Sequence, residues 1–304
     1  MESSNTFFFL FISSIFNLLF TYLTIPTNAT TITLASKYNI TAIYTFGDSI
    51  LDAGNNNALL TLVQSNHKPY GRDFPGHVAT GRFTNGKLAT DILASSLGLK
   101  HVLPAYLDPK TTPEDLLTGV SFASAGSGYD DLTATRTNVL NFKNELGLFE
   151  ECLMRIRKDV GKEKGSHIVG NAVFVIAGGT NDVVNNFYVL PTRRATFSLS
   201  GYHHFLLRNL EGYLRKIYSM GGRRFAVVGL PPVGCLPVQV TLGLRRVCID
   251  RQNVDSQMFN SKLRALLTRL QKVLPGSRFG YVDAYKSLMD MISKPAKYVE
   301  HTYN

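Results

Sequence analysis

The chain has 304 residues, enough for one large α/β domain or two small ones, and its 44% hydrophobic and 18% charged content is that of a globular protein rather than a disordered one. The formal charge of +10 is spread over scattered pairs such as Arg193-Arg194, Arg223-Arg224 and Arg245-Arg246. There is no basic run and no nucleic-acid motif, so the charge is read as a solvated surface and nucleic acid is not an expected partner.

Phe7 to Leu23 is almost wholly apolar, and Ser/Thr/Asn-rich sequence with small residues follows at Ala29 and Ala35. Residues 1–29 therefore resemble a secretory signal peptide that the mature protein loses. Glu2 and the lack of Lys or Arg ahead of the apolar run leave an uncleaved membrane anchor as the alternative. No other stretch is long and apolar enough to span a bilayer, so no stable membrane insertion is expected after cleavage. Secretion permits disulfides. Cys235 and Cys248 flank a short loop and are the expected pair, which leaves Cys152 alone. Asn39-Ile-Thr41 is a glycosylation acceptor near the mature N-terminus, and Asn28-Ala-Thr30 lies in or beside the cleaved segment.

Ala42-Ile-Tyr-Thr-Phe reads as a buried strand that breaks into Gly47-Asp48-Ser49. A strand ending in a tight turn that presents one serine is a way to hold a nucleophile, and equally a capped turn. A polar loop follows from Ser65 to Asn85, with Thr80-Gly-Arg-Phe-Thr-Asn-Gly86 as its only ordered hint, and then a helix from about Lys87 to Leu97. Gly119-Val-Ser-Phe-Ala-Ser-Ala-Gly-Ser-Gly128 reads as a second strand running into a Gly/Ser loop. From Val139 the apolar residues recur every three or four positions to Val160, which predicts an amphipathic helix with Asn138 as N-cap.

The third strand, Ala172-Val-Phe-Val-Ile-Ala177, ends in Gly178-Gly-Thr-Asn-Asp182. A helix from Ser198 to Met220 is stopped by Gly221-Gly222, and Phe225-Ala-Val-Val-Gly229 is the fourth strand. A helix over Asn253 to Val273, a fifth strand at Phe279 to Asp283 and a last helix from Ala284 to Ile292 complete the pattern. The five strands alternate with helices and lack the polar alternation of a half-solvated sheet. This predicts a single α/β domain with a three-layer, doubly wound parallel sheet.

In such a sheet, functional groups sit at the carboxyl ends of strands. The sequence places Ser49 after the first strand, Gly126 or Gly128 after the second and Asn181 after the third. A serine can attack an acyl carbon, and backbone N–H groups with an Asn amide can donate to the oxyanion that forms. Each is equally a turn residue by itself; their coincidence at three strand ends points to acyl transfer. A dinucleotide site would need Gly-x-Gly-x-x-Gly after the first strand, and the Gly-x-Ser-x-Gly elbow would need glycine where Leu51 stands.

Phe46-Gly-Asp-Ser-Ile-Leu-Asp-Ala-Gly-Asn-Asn-Asn57 closely resembles the first signature block of the plant GDSL esterase/lipases, of the SGNH hydrolase superfamily. Val120 to Gly128 resembles the second block, Gly179 to Asp182 the third, and Gly229-Leu-Pro-Pro-Val-Gly-Cys-Leu-Pro237 a further plant-family segment. The resemblance runs from Ala42 to Tyr298. It implies a flavodoxin-like sheet with Ser49 as nucleophile and an oxyanion hole of the Ser49 N–H, the Gly126 N–H and the Asn181 amide. It further implies no metal or organic cofactor, a lipid or small acyl ester as substrate, and secretion to the apoplast with association to the cell wall.

The family carries an Asp followed three residues on by the His that serves as general base, and no Asp-x-x-His occurs in this chain. The likeness ends at Tyr298, before Val-Glu-His-Thr-Tyr-Asn304, which reads as a domain incomplete at its C-terminus. His203 and His204 fall on a helix; His67, His77, His101 and His167 fall in loops; His301 lies close to the terminus. Two readings follow: a serine ester hydrolase, or a catalytically silent form that keeps the pocket and at most binds ligand.

Overall fold

A computed structural model describes residues 33–243 and 246–298. The apolar stretch before residue 33 and His301 lie outside the described residues.

Among the described residues, four five-residue strands form one parallel sheet in sequence order: β1 (Ile43–Gly47), β2 (Val173–Ala177), β3 (Arg224–Val228) and β4 (Arg278–Val282). The register sets Tyr44 beside Phe174, Phe174 beside Phe225 and Phe225 beside Phe279. Four aromatic rings therefore cross the sheet in one row, with centroids 5.6, 5.7 and 4.5 Å apart. Such contacts add to the burial of large apolar area, so this row is the centre of the core.

Alternate residues of each strand face opposite ways, and the two faces differ. The aromatic face packs on α1 (Phe142–Val160), α2 (Lys162–Asn171), α3 (Leu199–Ser219) and α4 (Asp250–Val273). The other face, with Ile43, Val173, Val175, Ala177, Ala226 and Val228, has small and β-branched residues beneath the helices Leu34–Tyr38 and Ala89–Leu97. Both faces are covered, as the unbroken apolar strands predict.

The expected second strand differs. Residues 119–124 run along the free edge of β1, with Thr45 N–H donating to Val120 O, and Phe122 and Ser124 donating to the carbonyls of Thr45 and Gly47. They pair only as isolated bridges, Thr45 with Ser121 and Ser121 with Ala105. The reason is that the Gly47 N–H, which the next ladder bond would give to Phe122 O, donates instead to the Glu145 carboxyl at 2.7 Å, while the Asn55 amide holds the outward carbonyls of Ser121 and Ala123 at 2.9 and 2.8 Å. Among the described residues the sheet has four strands rather than five, yet the spatial order matches the doubly wound expectation: segment 119–124, β1, β2, β3, β4. Chain direction across the sheet reverses at β1, which makes the end of β1 the switch point.

A second correction concerns Asn138. It ends the short helix Asp131–Thr137 in the left-handed conformation (φ 52°), and Asn141 caps α1, accepting from the Asn144 N–H. The apolar periodicity begins before the helix does. The Cys235–Cys248 disulfide forms as expected, and Cys152 is free and buried.

Candidate active site

β1 and β2 end level, Gly47 opposite Ala177. Gly47 has φ 137°, and a Cβ there would stand 1.8 Å from the Ala177 carbonyl oxygen, so only glycine lets the two strands approach where the chain turns. Asp48 is buried. Its carbonyl accepts from the N–H groups of Leu51 and Asp52, closing a turn over Ser49. Ser49 itself is half-buried, and neither its N–H nor its hydroxyl has a partner among the described residues.

Ser127 joins the strand ends. Its hydroxyl donates to Gly47 O at 2.8 Å, and its carbonyl accepts from Asn181 Nδ2 at 2.9 Å. Gly126, just before it, is half-exposed with its N–H unpartnered among the described residues. Ser127 thus links the β1 turn that leads to Ser49, the neighbouring Gly126 and Asn181; the Ser49 and Gly126 N–H groups have no partner among the described residues, and one hydrogen of the Asn181 amide remains beyond its bond to Ser127. Gly128 has another duty: a Cβ there would meet the Asp182 carboxylate at 2.2 Å.

Four buried carboxyls hold this arrangement, and the sequence reading assigned none of them. Asp52 accepts from the N–H groups of Gly54, Asn55 and Ala125, tying the serine turn to the Gly/Ser loop. Asp182 accepts from Tyr129 N–H, Asp130 N–H and the Thr133 hydroxyl. Glu145, reaching from α1, accepts the Gly47 N–H at 2.7 Å. Burial pushes Asp48 and Asp182 up to about 7 and Asp52 to about 6, and it holds Glu145 well above the usual carboxylate range. Asn55, Asn56 and Asn57 complete the frame, donating to carbonyls of 121, 123, 125 and 80. The acidic, Asn-rich sequence after Ser49 is therefore a bracket around the serine turn.

The Gly47–Glu145 bond has a measurable consequence. Glu145→Leu leaves a buried N–H without an acceptor and is expected to cost about 1–3 kcal/mol in urea unfolding. Glu145→Gln keeps an acceptor and should lose less than half of that. Equal losses would mean that packing, rather than this bond, is what Glu145 supplies.

Among the described residues, no histidine is hydrogen-bonded to Ser49. His203 is buried edge-on against Phe259, and burial lowers it to about 4. It is a packing residue. A groove of about 700 Å³ along α1 and α3 includes none of Ser49, Gly126 and Asn181, and its Arg193, Lys143 and Lys216 are paired with Asp130, Asp131 and Glu150.

Comparison with known proteins gives the family. The profile of GDSL-like lipase/acylhydrolases matches residues 43–300. The GDSL esterase/lipase At2g40250 of Arabidopsis thaliana is 46% identical over 299 residues, covering 95% of this chain and 81% of the relative. Two others from that plant, At1g06990 and At2g30310, are 46% and 44% identical, each covering 84% of this chain and 72% and 73% of their own lengths. The class so defined is that of carboxylic ester hydrolases. The chain belongs to the GDSL lipase/acylhydrolase family.

Proposed function

We propose that the chain is a secreted serine ester hydrolase that cleaves carboxylic esters of lipids or small acyl compounds through an acyl-serine intermediate. The observation that carries this reading is the half-exposed Ser49 at the switch point, with its own N–H and the Gly126 N–H unpartnered among the described residues and one Asn181 amide hydrogen left beyond the bond to Ser127 O. Ser49 Oγ attacks the acyl carbon while its proton passes to a base. The carbonyl oxygen takes up the negative charge and accepts from the three donors. Collapse of the adduct breaks the ester C–O bond, the alcohol leaves with a proton, and water repeats the sequence on the acyl-serine. Secretion rests on the N-terminal apolar stretch. The exposed Asn39 is the glycan acceptor, and association with the cell wall belongs to the same reading.

The serine without a histidine partner among the described residues favours a second reading, a chain that binds esters without turning them over. One assay separates the two: hydrolysis of p-nitrophenyl butyrate by the purified chain beside Ser49→Ala. Turnover that falls at least about 10³-fold in Ser49→Ala supports the hydrolase. Asn181→Ala should then lose about 10²-fold. A parent chain no faster than buffer supports the silent form.

A further inference from the structure

Leu60 and Leu62 are almost wholly in solvent, at 92% and 102% of full exposure, in a segment that is otherwise clamped. The Thr61 hydroxyl donates to Thr137 O at 2.6 Å, and the Asn138 amide donates to Leu60 O at 2.6 Å. The Gln64 amide donates to the carbonyls of Asn56 and Leu59, and the Asn56 amide to Val63 O. These bonds tie the turn to the body of the protein, and the two leucines are directed out. Hydrogen bonds fix them there, so their exposure is built into the fold.

This shelf borders the active site. A Cβ on Gly126 would lie 3.0 Å from Thr137 Oγ1 and 3.6 Å from Val139 Cγ2, beside the residues that anchor Leu60 and Thr61. From the same helix, Arg136 reaches Thr192 Oγ1 at 2.7 Å, which brings in the partly exposed Val189 and Leu190. Segments 54–72, 132–144 and 183–210 contain no Asp or Glu. The acids that flank them are neutralised in ion pairs, Asp73 with Arg72, Asp130 with Arg193 and Asp131 with Lys143. Arg136 and Arg194 are exposed.

We propose that Leu60 and Leu62, rimmed by Arg136 and Arg194, seat the protein on the surface of an anionic lipid aggregate, with Gly126 and Ser49 beside the interface. Leucines below the headgroups and arginines level with them match the two attractions that hold peripheral proteins to anionic lipid. This deepens the ester-hydrolase reading by naming the physical state of the substrate. Its function rests on that reading; lipid binding is measured without turnover, so the two can fail separately.

The chain has no tryptophan, so Leu62→Trp places a single reporter on the shelf and Leu242→Trp a control at a site 62% exposed elsewhere. The probe is vesicles of phosphatidylcholine containing one-third phosphatidylglycerol, added to the full chain. Expected is a blue shift of the Leu62→Trp emission and none for Leu242→Trp. The Leu60→Ser/Leu62→Ser variant should partition at least about ten-fold more weakly than the parent. Arg136→Gln/Arg194→Gln should lose the preference for anionic over neutral vesicles. The proposal is overturned by an unshifted Leu62→Trp, by equal shifts at both reporters, or by a leucine double variant that binds like the parent. Binding carried by the N-terminal apolar stretch alone would give that last result.

Discussion

Replacing Arg82 with methionine is expected to remove about 3–5 kcal/mol of stability and to lower the melting temperature by on the order of 10 °C. Arg82 and Asp91 are both buried, and they meet in a two-pronged ion pair at 2.8 and 3.0 Å. The guanidinium also donates to the carbonyls of Ala53 and Leu103 and to Thr80 Oγ1, while Asp91 accepts from the N–H groups of Leu88 and Leu103. One side chain thus pins the bracket after Ser49, the 80–88 loop and the segment leading to residue 105. Methionine fills much the same volume but leaves Asp91 charged and three carbonyl or hydroxyl acceptors bare. The partner substitution separates charge from packing: Arg82→Met/Asp91→Leu should recover part of the loss, because removing both charges also removes the unpaired one. Urea unfolding measures both variants. A single variant with the parent's midpoint would show that the loop is held by other contacts.

That pair also marks where the sequence stopped being informative. The strands were legible because apolar runs of five residues between Gly and Pro punctuation have few other uses, and all four observed strands lie where those runs predict. The serine turn was legible because Gly47-Asp-Ser49 breaks such a run. Arg82 was not, since a lone arginine among Gly, Thr and Asn looks like any solvated loop charge; only burial distinguishes it. Asn55 and Asn56 stand in a Gly/Asn-rich run of turn-forming composition, yet their amides reach across the chain to the outward carbonyls of the 119–125 segment. The fifth strand is reduced to bridges because Glu145, remote in sequence, takes the Gly47 N–H that the next ladder bond would use. Glu145 shows the same limit from the other side: it stands in the apolar face of α1, where periodicity alone makes a polar residue look like an interruption. Local pattern identifies elements. It does not identify the long-range polar contacts that fix one element's end to another.

The four carboxyls around the serine turn imply a pH dependence of stability with a definite sign. Asp48 and Asp182 rise from 3.8 to about 7 and Asp52 to about 6, each chiefly through burial, and Glu145 is raised in the same direction. In the unfolded chain these groups ionise near their ordinary values. Between about pH 4 and pH 7 the folded state therefore holds more protons than the unfolded state, and stability must fall as pH rises through that window. The melting temperature is expected to be about 5 °C or more lower at pH 8 than at pH 5. Glu211 works the opposite way: its bonds to Arg269 and Arg215 hold it low, so its contribution is lost only on further acidification. The maximum accordingly lies on the mildly acidic side of neutral. Asp48→Asn keeps an acceptor for the Ile50 N–H yet has no proton to lose, so it should flatten the slope between pH 5 and pH 8. A parent chain whose melting temperature is level or rises over that interval would mean that these carboxyls ionise as freely when folded as when unfolded. Because Asp48 adjoins Ser49 and Asp52 closes the same turn, these ionisations act on the turn that holds Ser49.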